Sequence, residues 1–177
     1  MCTMERDSYK KKRSRASGHV VLRDQLKPGD IGRLIYLHGT FYSKEYGYDQ
    51  TFEAYVASDL AEFVNAFDQE GDRLWLAECE KDVVGSIAIV RQSKDAAQLR
   101  WFFVHPGYRG RGIGKRLLSE ALRFCTEKKY KMVSLWTTSE LETARHLYTS
   151  AGFQKAEEIA HPIWGKDVVE ERYDLLL

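Results

Sequence analysis

Apolar and polar positions change their period several times along the chain, and each change marks an element. "HVVLRDQL" (19–26) alternates briefly and is stopped by Pro28-Gly29, which predicts a short strand. Asp30 stands where a helix cap is expected, ahead of "IGRLIYLHGTFYSKEYG". There Ile31, Leu34, Ile35, Leu37 and Phe41 recur at helical spacing, with Gly39 as the weak point. From Thr51 to Phe67 the positions Phe52, Val56, Leu60, Phe63, Val64 and Phe67 predict a second helix with one apolar face. The period then shortens. "RLWLAEC" and "VVGSIAIV" flank the charged turn Glu80-Lys81-Asp82 as a hairpin, and "AQLRWFFV" follows as a third strand.

Beyond a glycine-rich turn, Ile113, Leu117, Leu118, Ala121, Leu122 and Cys125 predict a third amphipathic helix. "MVSLWTT" reads as a strand, and Ser139 with Glu142 reads as a capping box opening a fourth helix. "FQKAEEI" and "VVEERYDLLL" close the chain as two more strands. The order is βααβββαβαββ, which favours an α/β fold with a mixed sheet flanked by helices.

At 177 residues the chain has the length of one domain. No apolar run reaches the roughly 20 residues that span a bilayer, and no signal-peptide core begins the sequence. Three scattered cysteines (Cys2, Cys79, Cys125) form no metal-binding spacing and fit a reducing, cytoplasmic setting. The net charge of +1 is uneven: residues 1–17 hold six basic and two acidic side chains, leaving 21 basic of 27 and 24 acidic of 26 elsewhere. The expectation is a solvated, basic leader over 1–17 and a folded domain over 18–177. A mildly acidic body suits a cationic substrate better than nucleic acid.

The stretch "VHPGYRGRGIGKRLL" (104–118) concentrates four glycines and five basic side chains, His105 included, between a strand and a helix. Such a turn is built to hold an anion, since glycine amides can converge on it and a helix N-terminus adds partial positive charge. It is not the dinucleotide fingerprint G-x-G-x-x-G, because the third glycine would fall on Lys115. Nor is it the triphosphate loop, whose first glycine would be Arg109 and whose Ser/Thr would be Arg116. What stands is R-x-x-G-x-G, Arg109 to Gly114, walled by Arg109, Arg111, Lys115 and Arg116.

This stretch resembles the acetyl-coenzyme A pyrophosphate loop of the GNAT superfamily of N-acetyltransferases. "ARHLYTSAGF", 34 residues on, resembles that family's helix ending in L-Y-x-x-x-G-F, and the element order is the family's own over residues 19–177. The resemblance implies a single domain with helices on both faces of a mostly antiparallel sheet. That sheet is splayed at a V-shaped gap, with acetyl-CoA as co-substrate in the gap and no metal. A nearer likeness, carried by "GDIGRLIYLHGTFYSKEYGYDQTFEAYV", "AQLRWFFV" and "LWTTSELETARHLY", is to the acetyltransferase half of bacterial MarR-type winged-helix fusions. About 18 residues precede the first strand, so the winged helix is not expected in this chain.

The resemblance assigns cofactor contacts to Phe103, Val104, Arg109, Gly110, Arg111, Gly112, Ile113, Gly114 and Lys115. It makes Tyr148 the acid that protonates the leaving thiolate, although Leu141, Ala144, Tyr148 and Ala151 equally form a packing stripe. Carbonyl polarisation would fall to a backbone N–H near Phe103 or Val104. Two positions depart from the family. Leu141 stands where an asparagine often binds pantetheine, leaving Thr138 or a capping-engaged Ser139 as substitutes. Arg100 stands where a glutamate base is common, and a guanidinium cannot take a proton.

The base is then sought in a water chain or in a carboxylate from elsewhere, Glu45 or Glu53, with His38 as a further candidate. Arg100 either binds a carboxylate on the acceptor or pairs with one of those glutamates. Trp136 is among the aromatics expected around the acceptor, which is read as a small-molecule amine or amino acid. Acetylation of a protein or peptide, and a non-catalytic acetyl-CoA sensor, are the alternatives. Homodimerisation is compatible with the sequence, and a membrane partner is not expected.

Overall fold

The computed structural model describes residues 18–177; the basic leader lies outside the described residues. The elements follow the expected order. They are β1 (Val21–Arg23), α1 (Asp30–Tyr46), α2 (Gln50–Asn65), β2 (Arg73–Cys79), β3 (Asp82–Arg91), β4 (Ala96–Val104), α3 (Ile113–Glu127), β5 (Met132–Thr138), α4 (Glu142–Ser150), β6 (Gln154–Ile163) and β7 (Lys166–Leu176). A single 3₁₀ turn, Pro106–Tyr108, sits between β4 and α3.

The seven strands form one sheet in the order β1-β2-β3-β4-β5-β7-β6. All neighbours are antiparallel except β4 and β5. β2 shows how the sheet is covered on both faces. Its Trp75, Ala77 and Cys79 join the core under α3 and α4, while Leu74 and Leu76 join the core under α1 and α2. Strict alternation thus serves two apolar layers.

Two helix starts differ from the sequence expectation. Gly29, in the left-handed region at φ 97°, is the N-cap of α1, and Asp30 is the first helical residue. The Asp30 carboxylate turns back to accept from the Lys27 amide at 2.6 Å and from both Nη atoms of Arg23 at 2.7 and 2.8 Å. Its buried position is therefore spent on clamping β1 to α1. The Ser139–Glu142 capping box does not form either: Leu141 is the N-cap of α4, with no side-chain cap. The Ser139 amide is instead drawn to the Val169 carbonyl of β7 at 2.9 Å. Gly39 does not interrupt α1, and it leaves room for Glu53 of α2, whose carboxylate would lie 2.5 Å from a Cβ there. Val64 and Phe67, assigned to the buried face of α2, are 41% and 40% exposed.

The central strand carries the decisive irregularity. β4 faces β3 with Ser86 opposite Phe103 and Ala88 opposite Arg100, so Trp101 and Phe102 together oppose Ile87. This is a bulge. Trp101 sits at φ 47°, and its carbonyl accepts from the Ser86 hydroxyl at 2.6 Å. The bulge inverts which side chains face which layer. Ala97 and Leu99 lie in the α3/α4 core, whereas Trp101 and Phe103 lie in the α1/α2 core.

On its other side, β4 pairs with β5 only from Ala96–Met132 to Leu99–Leu135, although the strands run on to Val104 and Thr138. From there β4 stays with β3 and β5 stays with β7. The sheet therefore opens into a V between two of its own strands.

Gly85 of β3 lies close under Leu117 of α3. A Cβ there would lie 3.0 Å from the Phe103 carbonyl oxygen and 3.3 Å from both the Ala77 Cβ and the Leu117 Cδ1. Gly85→Ala is expected to cost about 1–3 kcal/mol by overpacking. This is read as a lower denaturation midpoint at unchanged slope.

Candidate active site

Two cavities flank the bulge. One, of about 450 Å³, lies between the open edge of β4, the glycine-rich turn and α4. The other, of about 110 Å³, lies between α1, α2, β4, β5 and β7. Tyr42, Phe102 and Leu141 line both, so the two share a wall at the mouth of the V.

The larger cavity has the character of an anion cradle at one end. Gly110 and Gly112 adopt φ of 76° and 75°, a region that side chains other than glycine rarely enter, and Gly112 is the N-cap of α3. The first amides of α3 have no partner within the helix, no acidic residue occupies its first turn, and Lys115 and Arg109 line the space in front. Arg109 is held in place twice: Nε donates to the Val104 carbonyl at 3.0 Å, and the guanidinium fork grips Glu45 of α1 at 3.1 and 2.9 Å. Phe103, Val104, Gly110, Ile113 and Gly114 complete the expected part of this wall. Arg111 does not line it, and its guanidinium stacks on Tyr108 at 5.1 Å. Thr138, expected at the cofactor, lines the smaller cavity, its hydroxyl 3.0 Å from that of Tyr48.

The smaller cavity is walled by rings. Tyr48, Phe52, Tyr55 and Trp164 pack in mutual contact at centroid distances of 4.9–6.4 Å. Trp164, at the tip of the β6–β7 hairpin, is tied down because its carbonyl accepts from the Asp49 amide at 3.0 Å. Trp136 also lines the cavity and is 37% exposed. His38 stands one helical turn before Tyr42 on α1 and is 3% exposed. Its Nδ1 donates to the Leu34 carbonyl at 2.9 Å, which fixes the lone pair on Nε2, and Nε2 is buried without a partner. The Thr137 hydroxyl is likewise buried and unpartnered.

Arg100 lines this cavity, but its Nη2 is engaged by Asp59 of α2 and donates to the Tyr55 hydroxyl at 2.9 Å. The internal ion pair anticipated from the sequence exists, with Asp59 rather than a glutamate as its partner. Glu45 and Glu53 are not in the cavity lining. The first is committed to Arg109 and the second packs against Gly39. The carboxylate that does line it is Glu170 of β7, bonded to His161 of β6 at 2.7 Å. The pair "EE" at 170–171 is its only sequence signal, since alternation sends Glu171 instead to a buried cluster with Lys155 and Tyr173.

Tyr148 of α4 is 4% exposed, lines the smaller cavity, and rests on Phe102 and Phe153 at 5.8 and 5.9 Å. Burial pushes its phenol well above the ordinary value, so it stays protonated across the physiological range. The packing role and a place at the cavity are thus both realised.

The comparisons with known proteins agree with this geometry. The acetyltransferase (GNAT) domain family matches residues 70–155. The chain is 32% identical to the Escherichia coli N-acetyltransferase YjgM over 63% of its own length and 70% of that protein's. It is equally 32% identical to N-acetylaspartate synthetase of Xenopus tropicalis, over 63% of its own length and only 42% of that protein's. In fold it superposes on YncA of Salmonella typhimurium, solved with its cofactor acetyl-CoA, at a TM-score of 0.69 and 19% identity, covering 89% of this chain and 94% of that one. The chain belongs to the GNAT acetyltransferase family and is an acyltransferase with acetyl-CoA as its co-substrate. Among the described residues no cluster of metal-binding side chains occurs, and no helix is long and apolar enough to cross a membrane.

The His38 environment has a measurable consequence. Burial lowers its pKa to about 4, against about 6.5 in the unfolded chain. Between these values the unfolded state binds the proton and the folded state does not, so stability falls as the pH drops through that window. From pH 7 to 4.5, wild type is expected to lose about 2–3 kcal/mol more than His38→Leu, measured by denaturant titration at both pH values.

Proposed function

We propose that this acyltransferase acetylates the primary amine of a small molecule or amino acid by direct attack, with Tyr148 protonating the leaving thiolate. The observation that carries the reading is the pair of abutting cavities: a long one ending in an anion cradle, and a small aromatic one that also holds Tyr148. The residues fit acetyl-CoA. The larger cavity runs along a strand edge free of strand partners, so backbone groups of β4 are available to a linear amide chain. The α3 amides, Arg109 and Lys115 provide for a diphosphate.

Acetyl-CoA supplies an acetyl group already activated as a thioester. The chain's residues supply the remainder. The α3 N-terminus and its cations bind and orient, and a backbone N–H of Phe103 or Val104 polarises the thioester carbonyl. The Tyr148 phenol, kept protonated by its apolar surroundings, holds the proton that the sulfur needs. The Tyr42, Phe52 and Trp164 rings offer faces to a cationic head group in the smaller cavity. Its 110 Å³ limits the enclosed part of the acceptor to a few non-hydrogen atoms. That size disfavours a protein side of the reaction that needs an open trough.

A second reading, an acceptor carrying a carboxylate beside its amine, is favoured by Arg100 in the cavity wall and by the name of one relative, N-acetylaspartate synthetase. Arg100→Met then raises KM for amino acids while leaving KM for simple amines unchanged. The likeness of residues 29–56, 97–104 and 135–148 to winged-helix fusion acetyltransferases is carried by the sequence alone. A cytoplasmic setting rests on the scattered cysteines of the sequence, of which Cys79 and Cys125 are buried free thiols.

A panel of amines and amino acids with acetyl-CoA, followed by release of free thiol, tests the activity. Tight binding without turnover of any acceptor would establish a sensor instead. Tyr148→Phe is expected to lower kcat about 100-fold or more, with the dissociation constant for CoA unchanged. Arg109→Gln, by contrast, weakens CoA binding about 10- to 100-fold, the loss of one charge-assisted contact. Calorimetric titration with CoA separates the two effects.

A further inference from the structure

Resting on that reading, we propose that Glu170 is the catalytic residue that takes the proton from the acceptor ammonium, and that His161 is its positioning residue. Attack on a thioester needs the nitrogen lone pair, which an ammonium does not have, so one wall of the cavity has to accept a proton. Arg100 cannot do so, and its guanidinium is committed to Asp59. Glu45 and Glu53 lie elsewhere. Glu170 is the one carboxylate in the cavity lining.

Its position is built by the sheet. Glu170 stands opposite Thr138 of β5 on one side and Ile159 of β6 on the other, with Thr138 and Tyr148 in the same cavity wall. The residue is thus anchored between two paired strands, in the lining that also holds Tyr148. His161 Nε2–H donates to Oε2 at 2.7 Å and leaves Oε1 for a ligand. The Glu170 side chain is 22% exposed and that of His161 37%, so a captured proton has a route to water that the buried His38 and Tyr148 lack. In the step itself an ammonium N–H bond breaks and its electron pair stays on nitrogen. An O–H bond forms on Glu170 Oε1, and the proton then passes to solvent, restoring the carboxylate. After attack the nitrogen gives up its second proton, which replaces the one Tyr148 has passed to the sulfur.

The test uses two small acceptors that differ in how much of the amine is already neutral. Propylamine ionises like a lysine side chain, near about 10.4, and glycinamide like an α-amino group, at about 8. At pH 8.5 with acetyl-CoA, Glu170→Gln is expected to lower kcat/KM for propylamine about 100-fold and for glycinamide less than threefold, with the CoA dissociation constant unchanged. Equal losses for both acceptors would make Glu170 a structural member of the wall and overturn the assignment. His161→Ala, which keeps the carboxylate, is expected to reproduce the selectivity at several-fold, and His161→Gln to restore most of it. Should Glu170→Gln fail to fold, absence of selectivity in His161→Ala overturns the proposal on its own. A wild-type enzyme that binds CoA and acetylates neither amine overturns the small-amine site itself, and the Glu170 role with it.

Discussion

The structure depends on one constraint: β4 must remain bonded to β3 while parting from β5. The bulge at Trp101 and Phe102 meets both demands. By inserting an extra residue opposite Ile87 it twists the strand away from β5, and the Ser86 hydroxyl ties the displaced Trp101 carbonyl back to β3. A tryptophan held at positive φ costs of order 1–3 kcal/mol. Its ring, packed on Phe63 at 5.1 Å within the α1/α2 layer, offsets that cost by burial. Strain and packing sit in the same residue, so the opening cannot close without emptying part of the core.

The two cavities inherit their difference in character from this parting. Where β4 meets the glycine-rich turn, the walls are backbone, glycine and cation, suited to a long polar ligand. Where the strand faces α1 and α2, the walls are rings with a few buried polar atoms, suited to a small head group. The helix α1 serves both. Its His38 and Tyr42 line the small cavity, and one turn further Glu45 holds the Arg109 fork at the other. Binding energy at the cradle and geometry at the reacting end are connected through one rigid rod.

Much of the fold was legible because its helices and strands have strong periods and clear stops. β5 runs over the residues the pattern marks, and the glycine loop turns where its φ values require glycine. The bulge was not legible. Burial alternates without interruption along β4, because both faces are covered and a residue inverted by the bulge is still buried. Caps failed for a related reason: Asp30 and Ser139 carry capping chemistry, but tertiary partners claimed the one side chain and the other backbone. At the site, local motifs identified the cradle, while the acceptor wall is assembled from elements up to 132 residues apart, from His38 to Glu170. Glu45 was assigned to the right helix but the wrong cavity, since spacing alone does not say which neighbour a carboxylate will find.

The parting of β4 from β5 also bears on how the protein avoids its own kind. Unpaired strand edges are templates on which further strands add, and exposed ones invite aggregation. The two edges created inside this sheet lie between the cores under α1/α2 and α3/α4 rather than at its outer rim. A gap set between two layers suits a slender ligand better than a further strand with side chains on both faces. The same hydrogen-bonding groups that would be a liability on the outer rim become, between the layers, a preference for thin molecules.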